Sequence, residues 1–254
     1  MAFDLQTWLF VFLRVSAVLA VFPLFSMPNV PVALRAALGA VLAFLVAASL
    51  PAPVPAPPSF AGLVWVMTQE VLVGLLLGFV SRFVFYTLEF TGGIIAAEMG
   101  LSWGASISPI GNARSETPGL ILFLLGAALF LTLNLHHWLL LAVQRSYSLL
   151  PVGTAGLSFD LFRDLTSRAG QLFVVGLLMA APVVAVSFVI NLVFAVIGRA
   201  VPQMNVLVES FSFRAVAGLA VFGFSLSLVA QHAANYLRRL PEDVLRVAQL
   251  LRAA

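Results

Sequence analysis

Apolar residues in this chain come in long blocks separated by short polar or proline-bearing breaks, and the blocks are too long for strands. Leu5 to Met27 is the first block. It carries Arg14 inside and is closed by Pro28 and Pro31, residue types that stop or kink a helix. The second block, Val32 to Leu50, has Arg35 near its start and runs into the tract PAPVPAPP, a composition that makes a short stiff spacer. Phe60 to Leu101 follows without a proline. As one helix at ~1.5 Å per residue it would be ~60 Å long, about twice the hydrocarbon thickness of a bilayer. Two arrangements remain open for it: a hairpin reversing near Ser81 and Arg82, or a long helix bent near Gly92 and Gly93 that leaves the bilayer inside a protein assembly.

The next stretch, Gly100 to Pro118, reads GLSWGASISPIGNARSETP and is the one long polar interruption. Its Gly, Ser, Asn and Pro content predicts irregular backbone, which membranes tolerate only where protein buries it or where it lines an aqueous cavity. A gate and an ordinary solvent loop both satisfy that pattern. Gly119 to Val143 is expected to be a plain span, with Asn134 inside it and an interfacial anchor at His136, His137 and Trp138. Adjacent histidines point to different sides of a helix and lack metal-ligand spacing. Gln144 to Arg168 is a mixed linker in which Ser158 caps a short amphipathic helix bearing Phe159, Phe162 and Leu165. Ala169 to Gly198 is again overlong, and Pro182 and Asn191 predict a kink or a break into two helices. A compact polar turn, Gly198 to Val206, leads to the last apolar block, Phe213 to Tyr236. From Pro241 a short helix is expected, with Glu242 and Asp243 in its first turn and an apolar stripe of Val244, Val247, Ala248 and Leu251.

Composition narrows the class to an all-α integral membrane protein: of 254 residues, 62% are hydrophobic and 9% charged. With no cysteine there is no disulfide, thiolate metal site or cysteine nucleophile. The net charge of +3 comes from arginines scattered among apolar runs, so no basic face for nucleic acid forms. The first block lacks a small-residue cleavage site and is expected to be retained. Arginines after Tyr236 (Arg238, Arg239, Arg246, Arg252) put the C-terminus in the cytoplasm by the positive-inside bias.

Glu70, Glu89 and Glu98 lie within the third block, where an isolated charge costs roughly 2.5 to 3.5 kcal/mol on insertion scales. Such carboxylates face a partner subunit or an aqueous path, or else pair with Arg14 or Arg82 in this chain. Gly74 and Gly78 form a GxxxG that permits close helix contact. No P-loop, HExxH, dinucleotide fingerprint or GxSxG elbow is present, and no nucleophile and base can be nominated together. No catalytic residue, metal or cofactor is expected. A small-solute transporter or channel and a structural subunit of an export pore remain, and the chain has no inverted repeat of the transporter kind.

The runs RVSAVLAVFPLFS, VPVALRAAL, MGLSW, FLTLNLHHWLL and LPVG, and above all GRAVPQMNV, occur here in order over nearly the whole chain. In these the chain resembles the flagellar biosynthetic FliR family and its counterpart in virulence type III secretion. The resemblance implies a non-enzymatic subunit of the flagellar export gate, set in the bacterial inner membrane at the basal body. There, helical hairpins wind with FliP and FliQ into a closed pore for unfolded exported proteins, with FlhB and FlhA as further neighbours. It implies one export-gate domain over 1–254, a Pro-rich linker at 51–59, a plug-like loop at 102–118 and a cytoplasmic tail at 237–254. The plug residues would be Gly104, Ser106, Ile107, Ser108, Pro109, Ile110 and Gly111; here Ser108 and Pro109 stand where an Asp-Pro pair is common, leaving Ile107 and Ile110 as the apolar seal. Gly198, Arg199, Pro202, Gln203, Met204 and Asn205 carry the family motif, and Arg14, Glu70, Arg82, Glu89 and Glu98 are expected in subunit packing or buried ion pairs.

Overall fold

The computed structural model describes residues 4–27, 29–50, 54–55, 57–101, 117–203 and 205–252. Among them the chain is all-α, with eight helices: α1 (Leu5–Val21), α2 (Val32–Ser49), α3 (Phe60–Glu98), α4 (Thr117–Thr132), α5 (Leu135–Leu149), α6 (Phe159–Ala200), α7 (Val206–Arg238) and α8 (Leu240–Leu250). Helix α1 starts at Asp4, whose carboxylate accepts from the Thr7 hydroxyl and from the backbone N–H groups of Gln6 and Thr7. Those bonds, the Thr7 hydroxyl foremost, hold the Asp4 carboxyl below its ordinary range. The helix stops earlier than the expected Pro28 and Pro31. Phe22 is already extended (ψ 128°) because it precedes Pro23, whose ring excludes the helical conformation there.

The third apolar block is one unbroken helix of 39 residues, so the hairpin at Ser81 and Arg82 does not form. Polar side chains inside it turn back onto its own backbone instead of breaking it: Ser81 Oγ donates to the Leu77 carbonyl (2.8 Å) and Thr91 Oγ1 to that of Thr87 (2.7 Å). Its end is a Schellman cap, in which Gly100 (φ 75°) donates to Ala97 at 3.0 Å and Leu101 to Ala96 at 2.9 Å. Of the kink or break expected at Pro182 and Asn191, the break into two helices does not occur. Helix α6 runs 42 residues through Pro182, and the separate amphipathic helix after Ser158 is its first turns. Ser158 does cap it, accepting from the Leu161 N–H at 3.1 Å. Conversely, the plain span expected from Gly119 to Val143 is broken, because α4 ends at Thr132 and α5 starts anew at Leu135. Asn134 sits at the break with φ 55°, a left-handed conformation that Asn adopts more readily than the apolar residues around it.

The chain divides into two compact units. The first holds α1, α2, α3 as far as Phe83, α5, the start of α6 and α8. Its centre is built from Phe10, Val11, Val15 and Val18 of α1, from Phe22 just after it and from Val73, Leu77 and Val80 of α3, all buried. The tail is part of this unit. Val244, Val247 and Ala248 of α8 are fully buried, and Gly156 N–H donates to the Leu251 carbonyl at 2.8 Å. Asp164 receives Arg168 Nε at 2.5 Å and Arg246 Nε at 3.0 Å, and Arg168 reaches Asp243 at 2.6 Å.

The second unit holds α3 from Val84, α4, α6 from Gly170 and most of α7. Its core includes Leu88, Ile95, Met99, Leu122, Met179, Val183, Phe222 and Val229. Helices α3 and α4 touch where both carry glycine: a β-carbon on Gly92 would fall into the Gly119 backbone.

Much apolar surface stays uncovered. In α2 only Gly39 and Ala43 are buried, and in α7 Val216 and Phe224 are 74% and 87% exposed. Apolar surface on this scale meets lipid or protein, not water.

Candidate functional site

The first unit is organised on one buried ionic node between α1, α3 and the end of α5. Arg14 and Glu70 are fully buried, and no solvent balances either charge. Arg14 Nε donates to Glu70 Oε2 at 2.7 Å, and Nη2 donates to Oε1 at 3.0 Å, the bidentate geometry that suits guanidinium and carboxylate best. Nη1 donates to Ser146 Oγ and to the Leu150 carbonyl, and Nη2 also donates to that carbonyl, each at 3.2 Å. All five guanidinium protons are therefore used. The Tyr147 ring covers the guanidinium face, with Cζ 4.0 Å from its centroid. Glu70 Oε1 takes one more bond, from the Gly153 N–H at 3.2 Å.

Each partner is placed by its local chain. Leu150 ends α5 with φ −133°, and Ser146 Oγ donates its own proton to Val143 (2.6 Å), leaving its lone pair for Arg14. Gly153 has φ 76°, a conformation glycine takes without penalty, and this turns its N–H toward Glu70. Next to Glu70, Gln69 Nε2 donates to the Ala155 carbonyl at 2.9 Å, tying the same loop to α3. A buried pair repays its desolvation only with such complete bonding.

Of the residues singled out in the sequence, the structure brings together Arg14 and Glu70. Arg82 and Glu98 are half-buried and Glu89 is exposed; they lie further along α3, and no bond of the node goes to them. The glycines of the GxxxG are used within the chain. A β-carbon on Gly74 would overlap the Arg14 carbonyl, and one on Gly78 would lie 2.9 Å from that of Val18. In the motif before α7, Gly198 faces Val206, while Arg199, Pro202, Gln203 and Asn205 are exposed. Asn205 accepts weakly from the Val208 N–H at 3.5 Å. Met204 and the plug residues Gly104, Ser106, Ile107, Ser108, Pro109, Ile110 and Gly111 lie outside the described residues, as do parts of the proline tract.

Ser146, Tyr147, Leu150 and Gly153 were not picked out as partners of Arg14 and Glu70. A signal existed, since Leu150 and Gly153 are the two ends of the LPVG run. The guanidinium of the node is saturated, whereas the Tyr147 hydroxyl and Gln69 Oε1 beside it are buried with no hydrogen-bond partner among the described residues. Among the described residues no group of three His, Cys, Asp or Glu side chains could hold a metal.

Four helical stretches of the described chain are long and apolar enough to cross a membrane, five if α4 and α5 count as one bent span. With a buried arginine–carboxylate node inside the packing, they define a polytopic all-α membrane protein. The chain belongs to the bacterial export proteins, family 1, whose family model matches residues 5–240. It is similar to the flagellar biosynthetic protein FliR of Escherichia coli (strain K12), 30% identical over 243 residues that make up 94% of this chain and 92% of that one. FliR of Pectobacterium carotovorum subsp. carotovorum is 27% identical over 96% of both chains, and FliR of Bacillus subtilis (strain 168) is 28% identical over 87% of this chain and 86% of its own.

Proposed function

We propose that this chain is a non-catalytic, structural subunit of the flagellar type III protein export gate in the bacterial inner membrane. It forms, with FliP and FliQ subunits, the pore through which unfolded flagellar proteins leave. The observation that carries this reading is the likeness to flagellar relatives over 94% of the chain. The uncovered apolar helices support it: α6 and α7 expose Leu178 (68%), Val196 (69%) and Val216 (74%), the surface a subunit presents when neighbours and lipid enclose it. Helices of 39 and 42 residues exceed a bilayer and suit a protein held partly in an assembly. The segment 102–118 is the plug, with Ile107 and Ile110 as its apolar seal, and the C-terminus faces the cytoplasm near FlhB and FlhA.

Two measurements test the reading. An affinity-tagged chain should co-purify FliP and FliQ, identified by mass spectrometry, and restore motility to a strain lacking its own subunit. Recovery of the chain as a lone homo-oligomer that moves a small solute would overturn it. Deleting residues 105–116 should then leave assembly intact but make the membrane conduct ions, because an apolar constriction seals by dewetting. A tight membrane at normal assembly would make the segment a mere connector.

A further inference from the structure

We propose that the C-terminal tail is a strap that governs the buried Arg14–Glu70 pair through the loop between α5 and α6. Docked, the tail holds that loop against the pair; undocked, it opens the pair to water. Tail and loop run side by side. Gly156 N–H donates to the Leu251 carbonyl at 2.8 Å, Ser158 Oγ donates to that of Leu250 at 2.8 Å, and Ala155 and Arg252 form an antiparallel bridge. On its other side the same loop meets α3. Gly153 N–H donates to Glu70 Oε1 at 3.2 Å, and the Ala155 carbonyl accepts from Gln69 Nε2 at 2.9 Å. Ala155 thus belongs to both sets of contacts.

No residue from Pro151 to Asp160 is buried, so apolar packing does not fix the loop. Its internal bonds, from the Thr154 N–H and Oγ1 to the Pro151 carbonyl, shape a turn without tying it to a helix. The tail, by contrast, is fixed by burial. Leu240, Val244, Val247, Ala248 and Leu251 are buried, α8 lies on α5, and Arg168 of α6 reaches Asp243 at 2.6 Å. The burial of α8 is thereby passed through main-chain bonds to an amide dipole set at a buried carboxylate, where the dry surroundings make that dipole count. None of the bonds to Arg14 or Glu70 comes from the tail itself. A change at the end of the chain therefore reaches α1 and α3 only through the loop.

The test is amide exchange of the full chain in detergent, with isotope-labelled glycine so that Gly153, Gly156 and Gly39 are read in one spectrum. It needs no partner subunit, so its outcome is independent of the export-gate reading. In Val247→Asp, which undocks α8, Gly156 exchanges faster because its own acceptor has gone. Gly153, whose acceptor is Glu70 and not the tail, should also exchange about tenfold faster or more, while Gly39 in the α1–α2 contact keeps its wild-type rate. Arg246→Ala, at an exposed position of α8, should change none of the three. The chain has no cysteine, so Ala155→Cys with Arg252→Cys forms one defined disulfide, and antiparallel bridge partners lie within its reach. In the Val247→Asp background, oxidising that pair should return Gly153 to the wild-type rate, and reducing it should release Gly153 again. An unchanged Gly153 beside a fast Gly156, a rise at Gly39 equal to that at Gly153, or no recovery on oxidation each overturns the proposal. Should Val247→Asp not fold, Val247→Ala takes its place, with a faster Gly153 expected and an unchanged one overturning the strap.

Discussion

The main-chain carbonyl of Arg14 rests directly on Gly74, so closely that a β-carbon there would overlap it and also sit 2.7 Å from the Ala17 methyl. One helical turn earlier on α3, Glu70 receives the side chain of the same arginine. The backbone approach thus sets the reach of the ion pair, and a small residue in the sequence governs a charged one.

Gly74→Ala should therefore separate α1 from α3 and loosen the node. Because the obstructing atom is backbone and cannot rotate away, a loss of about 1 to 3 kcal/mol is expected. Gly93→Ala is the control: nothing lies within 4 Å of a β-carbon there, so helix propensity alone should leave the isolated chain unchanged or more stable by up to ~1 kcal/mol. Melting of both variants in one detergent checks the contrast.

Arg14→Met and Glu70→Leu should each destabilise by about 3 to 5 kcal/mol, since each leaves one buried charge without its partner. The double variant should lie closer to wild type than either single one, a coupling that a double-mutant cycle measures. Exchanging the residues, Arg14→Glu with Glu70→Arg, should not rescue. The Leu150 carbonyl would then face a carboxylate and the Gly153 N–H a guanidinium.

Asn134→Gly should be tolerated, whereas Asn134→Val should cost about 1 to 2 kcal/mol, because a β-branched side chain disfavours the left-handed conformation at φ 55°. Protease resistance of the purified protein reads the difference.

The tail helix offers a comparison of forces. Arg246 is 65% exposed, so its bond to Asp164 is screened, and Arg246→Ala should cost no more than about 1 kcal/mol. Val247 is fully buried, and Val247→Asp should release α8 to added protease while Arg246→Ala does not.

The class of the protein was legible from residues alone because long apolar runs admit one solution in a bilayer, the helix, whatever surrounds them. The α8 stripe of Val244, Val247, Ala248 and Leu251, its acidic first turn, and the Ser158 cap were equally legible, being local hydrogen-bond and periodicity effects. Where helices break was not legible: of the kink or break expected at Pro182 and Asn191 the break does not occur, and one arises at Asn134, where a plain span was expected. Pro182 passes through α6 although it removes a hydrogen bond, since Met179, Ala180 and Val183 on either side are held in the core; Asn134 breaks a run that composition reads as uniform.

Arg14 and Glu70 were marked by the sequence as charges that need compensation, with Arg14 one of two candidate partners for the carboxylate. Which residues complete the compensation was a tertiary decision. Ser146 and the Leu150 carbonyl are far from Arg14 along the chain, and although Leu150 and Gly153 close the LPVG run, nothing in that run says which charges its carbonyl and N–H meet. Composition and periodicity determine that a charge is buried in an apolar helix; only the packing of α1, α3 and α5 supplies the second charge and the dipoles that make its burial tolerable, because those forces act over a few ångströms of space and not along the chain.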